Sequence, residues 1–321
     1  MSGAPLQRRR GRRGRGEQLM VPEAEFTSYY GQPIINKPVW KAPEIAGYLF
    51  LGGLAGASSA LAFGAEMTGH QGLARSAKVG AAGAISLGGL ALVRDLGRPD
   101  RFYNMLRVFK PTSPMSMGSW LLAAYSPVAF VSAGSAVTGL LPAVGSAATV
   151  GAAALGPFVS TYTAALIADT SVPAWHAGHR ELPFLFAGSS ASAAGGFGLL
   201  AAPGCDAGPA RLLAVAGATG ELAAAKLLQR RLGEVAEPYH SGKSGRLMRI
   251  AEGLTAAAVG TAVLGRRRPV LSRVAGGALV AASAITRFGI FEAGMQSATD
   301  PKYTVGPQRE RLEQRQQQQL D

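Results

Sequence analysis

Apolar residues fall in eight runs, at roughly 43–66, 73–93, 117–140, 143–168, 183–202, 209–229, 246–264 and 270–293, separated by shorter polar stretches. About twenty residues of helix rise roughly 30 Å, the thickness of bilayer hydrocarbon, so each run is long enough to cross a membrane once. The pattern predicts an all-α integral membrane protein with eight transmembrane helices in two four-helix bundles. The first bundle spans 43–168 and the second 183–293, joined by a cytoplasmic connector at 169–182. A basic tail at 1–24, a pre-membrane segment at 25–42 and a polar C-terminal tail at 294–321 flank them, and both tails read as unstructured.

The polar stretches set the orientation. The segment from Arg94 to Trp120 carries Arg94, Arg98, Arg101, Arg107 and Lys110 against Asp95 and Asp100. Loops rich in Lys and Arg stay in the cytoplasm. An even number of spans puts both termini on that side, together with the loops His176–Glu181 and Arg230–Arg246. Arg266, Arg267 and Arg268 dissent, because they fall in an outer loop. The expected location is the plasma membrane.

Composition agrees with a chain that is mostly membrane: 48% hydrophobic and only 16% charged, with 43 glycines in 321 residues, where soluble domains average about 25% charged. The net charge of +13 suggests nucleic acid at first sight. Six of the arginines lie in the first sixteen residues and most others in loops on one face, so topology and anionic lipid explain the charge and no nucleic-acid partner is expected. Runs such as Gly52, Gly53 and Gly56, or Gly195, Gly196 and Gly198, let helix backbones approach closely where lipid provides no hydrophobic drive for association.

Cofactor chemistry is bounded by what the chain lacks. One cysteine, Cys205, cannot ligate an iron–sulfur cluster or a four-cysteine zinc site. The four histidines, His70, His176, His179 and His240, all fall in expected loops, which disfavours a haem held by two histidines inside the bundle. No haem and no metal are therefore expected in this chain. Gly242, Lys243 and Ser244 imitate the end of a phosphate-binding loop, but Glu237 stands where that pattern needs glycine. No serine or cysteine nucleophile motif stands out, and no catalytic residue is assigned.

Ionisable residues inside spans are costly in hydrocarbon and point to function by default. Glu221 and Lys226 in the sixth run, Glu252 in the seventh and Arg287 in the eighth lie one to two turns below the cytoplasmic ends, where all four can meet. They form either a structural charge cluster or, for Glu221, Glu252 and Arg287, part of a proton route. A second polar group gathers at the cytoplasmic ends of the first four helices: Asn36, Trp40, Lys41, Glu44, Asp95, Asp169, Trp175 and His176. Trp40 and Trp175 read first as interfacial belt residues. Tyr162 differs, because its hydroxyl sits within the bundle and needs a partner.

Three stretches resemble a known family: LGRPDRFYNMLRVFKPTSPMSMGSW from Leu96 to Trp120, YLFLGGLAGASS from Tyr48 to Ser59, and YTAALIADTSVPAW from Tyr162 to Trp175. Together they resemble the NrfD, or polysulfide reductase membrane-subunit, family over about 29–293, most closely across the first four helices. The resemblance implies a haem-free membrane subunit of an oxidoreductase complex. Its partners would be a ferredoxin-like iron–sulfur subunit and a molybdopterin catalytic subunit, and its substrate menaquinone or another quinone. It also implies a quinone site among the first four helices, with Tyr162 in contact, and Asn36, Trp40, Glu44 and Trp175 as further candidates. By position, Asp95, Asp169 and His176 suit a proton route, and Arg94, Arg98, Arg101 and Arg107 suit docking of the soluble partner. Two alternatives stay open: an anchor without quinone exchange, and an ion or proton translocator.

Overall fold

A computed structural model of the chain describes residues 34–202 and 206–318; the expected basic tail at 1–24 and Cys205 lie outside them. Among the described residues, eight helices are long and apolar enough to cross a membrane, each on one of the eight apolar runs. They are α1 (Ala42–Met67), α2 (Gln71–Asp95), α3 (Pro114–Thr138), α4 (Pro142–Ala168), α6 (Leu182–Ala201), α7 (Ala207–Leu232), α9 (Gly242–Leu264) and α10 (Pro269–Thr299). Short helices α5 (Pro173–Ala177) and α8 (Glu237–His240) lie between them, a 3-10 helix covers Pro99–Leu106, and α11 (Lys302–Gln318) follows the last span.

Five of the eight spans carry proline at their first or second helical position. There its fixed φ is helical and its missing N–H would lack an intrahelical partner in any case. Packing is organised around α1, which touches α2, α4, α6 and α10. Of its apolar window 72% is buried, against 22% for α3 and 28% for α9, so those two form the lipid-facing flanks. Helices α6, α7, α9 and α10 pack on one another, and α6 joins them to α1 and α4. The closest seams run through glycine. A Cβ on Gly56 of α1 or Gly156 of α4 would strike the other's carbonyl, and Gly196 of α6 and Gly276 of α10 face each other likewise.

Two expectations change. The C-terminal tail is not an unstructured end: α10 continues to Thr299, and α11 folds back along the connector. Its Gln, Arg and Glu residues are good helix formers. The buried Tyr303 and an ion pair between Lys302 Nζ and Glu237 Oε2, 2.7 Å apart, hold its start to the body. Polar composition alone hid that anchor. Burial also raises the Tyr303 phenol above its ordinary pKa.

Trp175 is not an interfacial belt residue. Its side chain is fully buried, and Nε1 donates to the carbonyl of Ile290 at 2.8 Å. It stacks on Trp40 and leans on Phe291, with ring centroids 5.8 and 5.7 Å away, and its indole lies against Gly294, where no side chain intervenes. Around it, the backbone N–H of Ala174 donates to Ser297 Oγ and the Tyr239 hydroxyl to the Ala174 carbonyl, so α5 is stapled to α8 and α10. Burial holds the Tyr239 phenol protonated well above its ordinary range.

Trp175→Ala should cost about 3–5 kcal/mol of stability, read as a lower denaturation midpoint of the detergent-solubilised protein, with Trp175→Phe costing clearly less. Ending the chain after Asp300 should raise hydrogen exchange in α5 and at 233–236, the segments beside α11, while leaving α1 protected.

Candidate functional site

The segment before α3 builds the wall of a groove. Ser116 Oγ donates to the Val108 carbonyl at 2.9 Å and accepts from the Lys110 N–H at 3.0 Å, and Trp120 Nε1 donates to the same carbonyl at 3.2 Å. These bonds fold the chain before α3 onto its first turns, so that Pro111, Thr112 and Pro114 face the last two turns of α4. Between them opens a cavity of about 440 Å³, lined also by Met117, Tyr162, Ala165 and Asp169. Ligand clefts usually run about 300–1,000 Å³.

Tyr162 is held there by packing rather than by hydrogen bonds. Its ring lies on α3 at Gly118, where even a Cβ would collide with it. The hydroxyl has no hydrogen-bond partner among the described residues. Asp169 follows the last residue of α4 and is exposed. Seven residues place it on the same helix face as Tyr162, about 10 Å further along the axis. The arrangement is a largely apolar slot with the hydroxyl-bearing Tyr162 and Thr112 on its walls and a carboxylate at its mouth.

Other expected site residues sit elsewhere. Asn36 is exposed, Trp40 is taken up by its stack on Trp175, and Asp95 accepts the Lys41 N–H at 3.2 Å, tying the end of α2 to the start of α1. Glu44 keeps one carboxylate oxygen buried without a partner. His176 lines a separate cavity of about 230 Å³ with Thr170, Tyr303 and Pro307. Its Nδ1 lies 3.1 Å from the Ala168 carbonyl, which fits the Nδ1–H tautomer and leaves Nε2 as an acceptor. Arg94, Arg98, Arg101 and Arg107 are all exposed, and Phe102, Tyr103 and Val108 stand out among them at more than half exposure.

The four charges expected to meet in the second half do not form one cluster. Lys226 and Glu252 pair at 3.2 Å toward the outside, with Gln229 also donating to Glu252. Glu221 and Arg287 are buried in the core. Thr286 Oγ1 donates to Glu221 at 2.7 Å, while Arg287 donates to the Phe186 carbonyl and Ser190 Oγ and lies 3.6 Å over the Phe186 ring. Five residues separate Glu221 from Lys226, about 140° around the helix, so the two point to different faces.

Sequence reasoning passed over a polar group inside the first four helices. Lys78, within the second apolar run, is 7% exposed and pairs with Glu66 Oε1 at 2.6 Å. Below it Ser132 and Thr149 bond at 2.8 Å, and Ser59 and Tyr125 at 2.7 Å. The signal was present: a lysine five residues into a span demands a partner. No group of three His, Cys, Asp or Glu able to hold a metal occurs among the described residues.

Comparison with curated proteins returns no match. A family profile described as polysulphide reductase, NrfD, matches residues 33–203, more than half of the chain, running from the pre-membrane segment through α6 and taking in the whole groove. This eight-span membrane protein therefore belongs to the NrfD family of membrane subunits of polysulfide-reductase-like oxidoreductase complexes.

Proposed function

We propose that the groove between α3 and α4 receives the headgroup of a membrane quinone, menaquinone or another, and that the chain is the quinone-reactive, haem-free subunit of its complex. The observation that carries this reading is the Tyr162 hydroxyl, without a partner among the described residues, in an apolar slot of about 440 Å³. Tyr162 is half-buried, its hydroxyl has a proton to donate, and a quinone carbonyl is an acceptor of the right kind. Pro111, Pro114, Met117 and Ala165 supply the apolar walls an isoprenoid quinone needs.

Two electrons and two protons convert a quinone to a quinol. The electrons come from a ferredoxin-like iron–sulfur subunit, itself fed by a molybdopterin catalytic subunit. Tyr162 orients one carbonyl oxygen, and the exposed Asp169 exchanges protons with water at the mouth. The iron–sulfur subunit docks on the loop before α3, where Arg94, Arg98, Arg101 and Arg107 surround Phe102 and Tyr103; aromatic and arginine side chains are the usual anchors of interfaces. Positive-inside reasoning places that loop and both termini in the cytoplasm, with the chain in the plasma membrane.

In the purified complex, Tyr162→Phe should raise the quinone KM about tenfold, the value of one hydrogen bond, while Asp169→Asn should lower kcat about tenfold with little change in KM. Unchanged turnover in both variants would leave the chain as a structural anchor. Arg98→Glu combined with Arg101→Glu should reduce co-purification of the iron–sulfur subunit most at 50 mM salt, with the difference from wild type shrinking toward 300 mM as the Debye length falls from about 14 to about 6 Å.

A further inference from the structure

At the end of the bundle opposite the Tyr162 groove the second half of the chain gathers arginine. Arg211 lies in the second turn of α7, Arg266, Arg267 and Arg268 form the turn between α9 and α10, and Arg273 lies in the second turn of α10. A chain of hydrogen bonds ties the three helix ends together. Arg211 Nη2 donates to Ser272 Oγ at 2.9 Å, Ser272 Oγ donates to the Gly265 carbonyl at 3.4 Å, and the Arg268 N–H donates to that same carbonyl at 2.8 Å.

These arginines have no counter-charge. Every ion pair among the described residues is made by other side chains, and Arg266 stands near enough for its charge to act on Arg211. The Arg211 Nε is covered by protein yet has no hydrogen-bond partner among the described residues. Helix α10 adds to the same field: its N-cap, Arg268, makes no side-chain cap, so the first N–H groups and the positive end of the helix dipole stay open. Like charges held this close repel one another, and an anion from outside relieves the repulsion.

The surroundings select the anion. Leu212, Leu264 and Val270 are each more than two-thirds exposed, and Val263 and Val274 more than half. All five lie on the same three helix ends as the guanidinium groups, and α9 is one of the lipid-facing flanks. A soluble acidic protein or a free phosphate matches the charge and leaves these aliphatic side chains unmatched. A phospholipid matches both. We propose that Arg211, Arg266, Arg267, Arg268 and Arg273 bind the phosphate of an acidic phospholipid in the leaflet opposite the groove, with its acyl chains along Leu212, Val263 and Val274. Guanidinium groups suit this role because their planar fork pairs with phosphate oxygens two at a time. The bound lipid bridges the ends of α7, α9 and α10. It also neutralises an arginine run that the positive-inside rule disfavours in an outer loop. The site stands independently of the quinone reading.

The test places a reporter beside the arginines by Leu264→Trp. The three native tryptophans, Trp40, Trp120 and Trp175, belong to the groove end, so their emission is subtracted using the complex without the reporter. The whole complex is reconstituted in phosphatidylcholine vesicles holding a small fraction of a lipid with brominated chains, which quench tryptophan on contact. Brominated phosphatidylglycerol should quench the reporter at a fraction at least about fivefold lower than brominated phosphatidylcholine, about the contribution of a single arginine near the surface. Arg266→Gln, Arg267→Gln and Arg268→Gln together should bring the two lipids level, whereas lysine at the same three positions should keep most of the preference. Inorganic phosphate should not displace the lipid. Equal quenching by the two lipids with all five arginines present overturns the proposal, and that comparison needs no arginine variant to fold. Displacement by inorganic phosphate would give the site to a free anion. Loss of a soluble subunit from the glutamine variant with the lipid preference intact would give the patch to a protein.

Discussion

Lipid tails are as apolar as leucine, so helices in a bilayer gain little by hiding apolar surface from one another and must gain by touching closely. The architecture follows from that constraint. Where α1 crosses α4 the two backbones meet through Gly56 and Gly156, and where α6 crosses α10 they meet through Gly196 and Gly276. These seams bring α1 to the centre of the molecule and leave α3 and α9 facing lipid. A bundle this tight has little room for polar atoms, so those it does contain carry information.

Polar groups fall into three classes by what surrounds them. Ser160, Ser189 and Ser283 are satisfied across helix crossings and reinforce them. The Arg287 guanidinium is partly satisfied by a carbonyl, a hydroxyl and an aromatic face, and helps lock α10 to α6. The third class lines open space: Tyr162 and Asp169 at one end of α1–α4, Lys78 and Glu66 at the other. Function is proposed for Tyr162 because a hydroxyl with no partner among the described residues, beside a cavity, has something other than its neighbours to bind.

The eight spans were legible because length and hydropathy are local properties that a bilayer reads one helix at a time. Family resemblance in the loop before α3 and at the end of α4 pointed to Tyr162 without any knowledge of packing. Depth was legible too, since rise per residue is fixed, whereas azimuth was not: Glu221 and Lys226, about 7.5 Å apart along one helix, face different ways. Trp175 was misplaced at the interface because a tryptophan near a helix end looks the same whether lipid or Phe291 covers it. The helix at 302–318 was hidden by a polar composition that suits disorder and a surface helix equally.

What the sequence determined by itself is the class of object: a multi-pass α-helical membrane chain, its spans and its family, all set by runs of residues and by motifs that act over a few turns. Tertiary structure alone decided which polar residues share a space. It put Asp169 in the groove with Tyr162 and His176 in another cavity, withdrew Trp175 into the core, and joined Lys78 to Glu66 and to hydroxyls on three other helices. The physical reason is that a side chain's cost or use in hydrocarbon depends on what lies across the helix interface, and that neighbour is distant in sequence.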